Sequence, residues 1–142
     1  MQPPPPHTNP DADEPRNEPR AGRLDLAALL TEATANQQAG AIGSLVGADL
    51  NVNLVRLSGD EYLEAHINAE VDVLLVGVAG AGVVELADGD QSLAPGVALY
   101  IPKGARRAIR AGDQGLAYLT CHRRRDRLAI AVVVHKIGRA HV

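Results

Sequence analysis

The sequence predicts an all-β domain preceded by one short helix. The chain has 142 residues, the usual length of a single domain. From residue 41 onward, short runs rich in Val, Leu and Ile are separated by Gly, Asp and Pro, a pattern typical of β-sandwiches and barrels. The apolar stock is aliphatic, since the chain has three Tyr, no Phe and no Trp, which excludes an aromatic platform for single-stranded nucleic acid.

The first 22 residues are predicted to be a disordered, proline-rich tail. Seven of the nine prolines lie in the first twenty residues, and the rest of the stretch is mainly Asp, Glu, Asn and Arg. Such a segment buries too little apolar surface to offset the entropy lost on ordering. No signal peptide or membrane span is visible in the sequence, so we expect a cytoplasmic protein without a membrane partner.

The folded domain is predicted over residues 23–127, and it begins with the helix. Asp25 is a favourable N-cap, and Leu26 and Leu29 begin a short apolar face. The pattern continues to about Gln38, and Gly40 is a stop signal. Because the apolar face is short, we expect the helix to pack on the outside of the domain.

Seven strand segments are predicted after the helix, each with the β-branched or alternating pattern of a half-buried strand. They cover residues 50–54, 62–67, 71–78, 83–86, 97–101, 108–110 and 116–121. The predicted turns between them cover residues 58–60, 79–82, 88–90, 95–96, 103–104 and 111–113.

Residues 59–107 resemble the two sequence motifs of the cupin family, which are small β-barrels of the jelly-roll type. The first motif is a Gly, a His-x-His pair, a Glu and a second Gly, and the second is a Gly, a Pro-x-Gly, a His and an Asn. The matching positions here are Gly59, His66, Asn68, Val73 and Gly80 for the first motif, with one extra residue before His66, and Gly96, Pro102, Gly104, Arg107 and Ala111 for the second. The resemblance spans about half of the chain and implies a cupin-like jelly-roll β-barrel with one short N-terminal helix.

The resemblance also implies where a metal would bind, but the residues there are unsuited to it. Cupins commonly hold a metal with two His and one Glu of the first motif and the His of the second. Those places are taken here by His66, Asn68, Val73 and Arg107. Asn is a weak ligand for transition metals, Val cannot coordinate, and the permanent charge of Arg repels a cation. We therefore predict no metal and no cofactor.

The same positions predict a ligand site instead. His66 and Asn68 are two residues apart and are expected on the interior side of one strand, with Arg107 entering from the facing strand. Such a donor-rich set suits a carboxylate, a phosphate or another polar small molecule. Tyr100 and His122 are placed at the rim of this site. The structural alternatives are that His66 is an interior histidine bonded to Asn68, and that Asn68 satisfies backbone groups at the strand end.

Three functions stay open at this point. The first is a metal-free cupin-like protein that binds a small polar or anionic molecule, with no catalytic residue assigned. The second is a cupin enzyme: a metal-dependent oxygenase in which His122 joins His66 as a ligand, or an isomerase or epimerase using His66 in acid–base chemistry. The third is a structural or regulatory module that dimerises. We favour the non-enzymatic reading, and the resemblance implies a homodimer.

Charge is distributed unevenly along the chain. Residues 1–102 carry four basic and fifteen acidic side chains, whereas residues 103–142 carry ten basic and two acidic ones. The basic run at residues 123–127 is expected to be a solvated strand end, because the acidic remainder opposes a polyanion. No nucleic-acid partner is therefore predicted.

Residues 128–142 are predicted to be a C-terminal extension. The apolar, β-branched run at 128–134 suits pairing with a sheet edge or with a second subunit. Residues 137–142 match the translation of one reading frame of a common sequencing-library adapter, and Lys136 fits the codon at the junction. We therefore expect residues 136–142 to be a sequencing artefact without selected function.

Overall fold

The structure, a computed structural model, describes residues 2–4, 19–124 and 134–136. Over these residues the chain forms one helix and eight strands with antiparallel pairing throughout, which confirms the predicted all-β jelly-roll fold with one short N-terminal helix. The elements are α1 (Leu26–Ala35), β1 (Gly40–Val46), β2 (Leu50–Leu57), β3 (Glu61–Ile67), β4 (Val73–Leu86), β5 (Gly89–Leu93), β6 (Ala98–Ile101), β7 (Arg106–Arg123) and β8 (Val134–Lys136).

Three predictions lie wholly or mostly outside the described residues. These are the disorder of the proline-rich tail, the end of the basic run, and the adapter-like C-terminus. Within the described residues, no helix is both long enough and apolar enough to cross a membrane.

Helix α1 is capped as the sequence predicts. The Asp25 side chain accepts a hydrogen bond of 3.0 Å from the Ala28 backbone N–H. The helix ends at Ala35, three residues before the predicted end. It packs on β1 and β2, where Leu54 is fully buried although it points away from the barrel interior. The helix therefore covers the outside of the domain, as expected.

The two longest strands, β4 and β7, divide the sheet into two layers. From Leu116 onward β7 pairs with β2 and with the first part of β4, and β1 and β6 complete this first layer. Up to Ala111, β7 pairs with β3 and with the last part of β4, and β5 and β8 complete the second layer. One core is built from both layers, so the layers face each other.

The predicted turns at 79–82 and 111–113 are wrong as strand ends, because both strands bend there and continue. Gly80 has φ of +67° and Gly115 has φ of +83°, a region that favours glycine. A Cβ atom on Gly80 would collide with the carbonyl oxygen of Gly115. The glycines that look like turn signals in the sequence are instead the places where β4 and β7 bend against each other.

Three strands are absent from the seven predicted segments: β1, β5 and β8, the last of which lies at the end of the apolar run that suits pairing with a sheet edge. β1 follows directly after the helix, and β5 begins at Gly89, inside a predicted turn. The connection between β4 and β5 is the two-residue turn Ala87–Asp88, and Gly89 adopts φ of +128° at its end. β5 has a single buried residue, Leu93, so it lacks the alternation that marks a strand in sequence.

We call the interior next to the bend the bend end, and buried apolar side chains from both layers fill most of it. Glu61, 3% exposed at the start of β3, is a buried polar residue beside it, and its Oε1 accepts a hydrogen bond of 2.9 Å from the Ser58 backbone N–H. The apolar members of the bend end are Leu57, Val84, Leu93, Ala111 and Leu116.

Candidate functional site

Arg107 is a buried cation that faces the interior. Its side chain is on the same face of β7 as Ile109 and Ala111, which belong to the core, and its residue is only 6% exposed. The preceding Arg106 is exposed and points to the outer face, as successive residues of a strand must. Of the two neighbouring arginines, Arg107, which is at the motif position, therefore faces the interior.

His66 lies directly beside Arg107, but in a different relation from the one predicted. The two residues are opposite each other in the β3–β7 ladder, so they sit on adjacent strands of one layer rather than on facing strands. His66 is half-buried, and its Nδ1 lies 3.1 Å from the Glu64 carbonyl oxygen. Since a carbonyl cannot donate, Nδ1 carries the proton in this contact.

Asn68 does not lie on the same strand as His66, which corrects the prediction. β3 ends at Ile67, and the Asn68 Oδ1 accepts hydrogen bonds from the backbone N–H groups of Glu70 (3.1 Å) and Val71 (3.3 Å). The side chain therefore caps the loop after β3, the structural alternative raised from the sequence. Asn68 is 5% exposed, and its Nδ2 is buried without a hydrogen-bond partner.

His122 and Asn51 bring two further buried polar atoms to the interior. They are opposite each other in the β2–β7 ladder, and His122 is 4% exposed. His122 Nδ1 lies 2.8 Å from the Arg123 carbonyl oxygen, and its Nε2 has no hydrogen-bond partner. Asn51 Oδ1 is likewise buried and unpartnered. From the sequence, His122 is expected at the rim or, in the enzyme alternative, as a metal ligand beside His66, whereas Asn51 is not predicted, because its role depends on strand register.

We call Asn51, Asn68, Arg107 and His122 the polar end of the interior. Tyr118, 1% exposed, lies between it and the bend end. Burial raises the pKa of Tyr118 far above its ordinary value, and the positive charge of Arg107 partly opposes this shift.

Tyr100 is outside this region, contrary to its predicted place at the rim. It is 63% exposed on the outer face of β6 and lies opposite Leu74 of β4. The pKa of the nearby Asp72 carboxyl is lowered, first by the Lys103 backbone N–H and then by a hydrogen bond with Tyr100. Cys121 is half-buried and is opposite Leu74 in the β4–β7 ladder, so it faces away from His122.

The residues at the cupin metal positions do not fit a metal. Val73 is 2% exposed and belongs to the core, Asn68 Oδ1 is already shared by two backbone N–H groups, and Arg107 is cationic. The part of the chain that the structure describes holds no group of three or more His, Cys, Asp or Glu placed to bind a metal ion. An amide oxygen that is already shared, an aliphatic side chain and a guanidinium do not provide the ligands of the usual cupin metal site.

A cavity of about 330 Å³ lies beside β7 on the second layer. Tyr62 and Glu85 belong to its outer side, where the Tyr62 hydroxyl donates to Glu85 (3.3 Å) and Arg110 forms an ion pair with Glu85 (2.9 Å). Neither His66 nor Asn68 lines it, so the cavity does not unite the predicted trio. Its lining consists of Tyr62, Ala65, Glu85, Leu86, Ala87, Arg106, Arg107 and Ala108.

Comparison with solved structures confirms the fold. A Bacillus halodurans protein is 20% identical over 82% of this chain and 90% of its own, with a TM-score of 0.62. A cupin-2 domain protein from Shewanella frigidimarina is 16% identical, covering 66% and 92%, with a TM-score of 0.53. A sugar phosphate isomerase of the cupin superfamily from Silicibacter pomeroyi is 24% identical, covering 55% and 52%, with a TM-score of 0.50.

No family model and no curated protein sequence matches the chain. At these identities, the solved structures show that the chain has the cupin fold, and a fold alone does not assign a function.

Proposed function

We propose that this protein is a metal-independent cupin-fold protein that binds a small anionic or polar molecule in its interior. The observation that carries this proposal is the burial of Arg107, at a motif position where cupins commonly place a metal ligand. In a metal-binding cupin, the charged group of a ligand would meet the metal at this place. In this chain, that group would meet the Arg107 guanidinium.

The chemistry of Arg107 favours an anion as the ligand. A guanidinium presents five N–H donors in a planar fork that matches the two oxygens of a carboxylate or a phosphate. Its charge acts on Tyr118, in surroundings where water is largely excluded and an ion pair is stronger than in solution. His66, opposite Arg107 in the ladder, adds a second polar side chain to the same side of the sheet.

One solved structure supports the ligand class. The Silicibacter pomeroyi protein with the same fold is named a sugar phosphate isomerase, so its substrate carries a phosphate group. We carry over the anionic group alone, since no isomerase residue of that protein has been matched to this chain. The homodimer predicted from the family resemblance stays a prediction.

The test is a binding experiment with a matched pair of arginine variants. Protein treated with EDTA is titrated with phosphate and with the carboxylates propanoate and glycerate, followed by calorimetry and by the shift in melting temperature. We expect at least one anion to bind the wild type, to bind Arg107→Met at least tenfold more weakly, and to bind Arg106→Met unchanged. Arg106 is the control because it is adjacent in sequence, equally charged and exposed on the outer face.

Each outcome is decisive. If none of these anions binds, or if binding requires added Zn²⁺ or Mn²⁺, the proposal is wrong. If Arg106→Met loses binding instead, the anion sits in the outer cavity. Arg107→Lys, which keeps the charge but not the fork, guards against a folding defect in Arg107→Met, and we expect it to retain weakened binding.

A further inference from the structure

The polar end contains two buried acceptor atoms on residues that are opposite each other in a ladder. Asn51 and His122 are opposite residues in the β2–β7 ladder, so their Cβ atoms are about 5 Å apart. His122 Nδ1–H donates a hydrogen bond to the Arg123 carbonyl oxygen, and in the neutral ring Nε2 is then an acceptor. Asn51 Oδ1 is also an acceptor, and both atoms are buried without a partner.

The other asparagine of β2 has no unpartnered amide oxygen of this kind. Asn53, two residues along β2 and on the same face, has both ends of its amide satisfied. It accepts from the Ser44 hydroxyl at 2.7 Å and donates to the Thr120 hydroxyl at 3.3 Å. Buried polar atoms in folded proteins are nearly always hydrogen-bonded, so two adjacent exceptions call for donors from outside the described chain.

We infer that His122 and Asn51 bind two neighbouring hydroxyl groups of the ligand. Two acceptors need two separate donors, which a single alcohol does not have. A vicinal diol supplies one O–H to each acceptor. An ammonium group also has enough donors, but the buried cation Arg107 in the same interior disfavours a second positive charge.

This inference rests on the proposed function and extends it to a ligand class. The anionic group of the ligand lies at Arg107 on the second layer, and the diol lies at His122 and Asn51 on the first. Both positions face the interior from β7, on opposite sides of its bend. The ligand class is therefore an acid, a carboxylate or a phosphate, that carries adjacent hydroxyl groups.

The test compares two carboxylates of equal chain length. Glycerate carries two adjacent hydroxyls and propanoate carries none, and glycerol supplies the diol without the acid. We expect calorimetry at pH 8 to show glycerate binding the wild type at least tenfold more tightly than propanoate. In Asn51→Val and in His122→Phe the two affinities should come within threefold of each other, with that for propanoate unchanged. Asn53→Val should keep the wild-type difference.

The outcomes separate this inference from the proposed function. If both carboxylates bind equally well and depend on Arg107, the anion site stands and the diol subsite is wrong. If neither carboxylate binds, the diol subsite is wrong; the proposed anion site then also fails unless phosphate binds and depends on Arg107. A Zn²⁺ complex that is lost in His122→Phe would also overturn the diol subsite, because Nε2 would then be a metal ligand. Melting curves of Asn51→Val and His122→Phe identify any loss of folding. Both variants must lose the preference for glycerate over propanoate.

Discussion

The two ends of the interior are built from the same strands but have opposite chemistry. At the bend end, β4 and β7 supply only apolar side chains and closely approaching glycines. At the polar end, six residues along β7 from Leu116, the same strand supplies His122, and its other part supplies Arg107. Stability is therefore concentrated next to the bend, whereas the buried polar atoms that suit a ligand lie away from it.

The comparison teaches how one small domain combines a rigid core with a polar site. A buried polar atom without a partner costs about 1–3 kcal/mol of stability. Asn51, Asn68 and His122 each contain such an atom in the described part of the chain. Packing at the bend end offsets this cost.

The largest effect is expected from Gly80→Ala at the bend. The backbone at Gly80 is left-handed, a conformation that costs alanine about 1–2 kcal/mol. The added Cβ would also collide with the Gly115 carbonyl, which costs about 1–3 kcal/mol more. Urea unfolding should show a loss of about 2–5 kcal/mol. Gly96→Ala is the matched control, since Gly96 also has positive φ (+87°) but nothing lies within 4 Å of its added Cβ. Equal losses in the two variants would show that the close approach at the bend contributes nothing.

A smaller effect is expected at high pH from Tyr118, between the two ends. Burial raises its folded-state pKa above the unfolded value near 10, so the protonated tyrosine stabilises the fold and this contribution is lost as pH rises. Between the two pKa values, the free energy of unfolding should fall by about 1.4 kcal/mol per pH unit. Tyr118→Phe should remove most of this slope, measured by urea unfolding from pH 9 to 11. Tyr100→Phe should leave most of it in place, because Tyr100 is exposed and its pKa is raised mainly by a hydrogen bond with Asp72. An unchanged slope in Tyr118→Phe would contradict the assignment.

The smallest effect has the opposite sign and is expected at the polar end. Asn51→Val removes a buried acceptor without a partner and should raise the free energy of unfolding of the ligand-free protein by about 1 kcal/mol. Asn53→Val breaks two existing hydrogen bonds and should lower it by a similar amount. Thermal and urea unfolding of the two variants measure this difference. A loss of stability in Asn51→Val would mean that Asn51 serves the fold rather than a ligand.

Local signals predicted the parts of the fold that depend on neighbouring residues. The Asp25 cap, the core strands and the glycines at the turns are visible because capping, alternation and φ preferences act within a few residues. Gly96 and Gly104 have positive φ, as the second motif implies. The burial of Arg107 and the exposure of Arg106 could be expected only once the family resemblance had chosen between them.

The rest of the site depended on pairings between distant strands. The sequence placed His66 and Arg107 on facing strands, whereas the ladder makes them neighbours in one layer. It also placed Asn68 beside His66 on one strand, whereas Asn68 bonds to the backbone of the following loop. Asn51 carried no signal, since an Asn in a polar–apolar alternation looks like an exposed residue.

The amino-acid sequence by itself determined an all-β domain with a capped leading helix, which follows from local backbone preferences. Its resemblance to the cupin motifs implied a cation where cupins commonly have a metal ligand. Only the tertiary structure decided that β4 and β7 continue through their glycine bends, and that Asn51 meets His122 across a ladder. Register between strands some seventy residues apart depends on the whole core, and no local pattern encodes it.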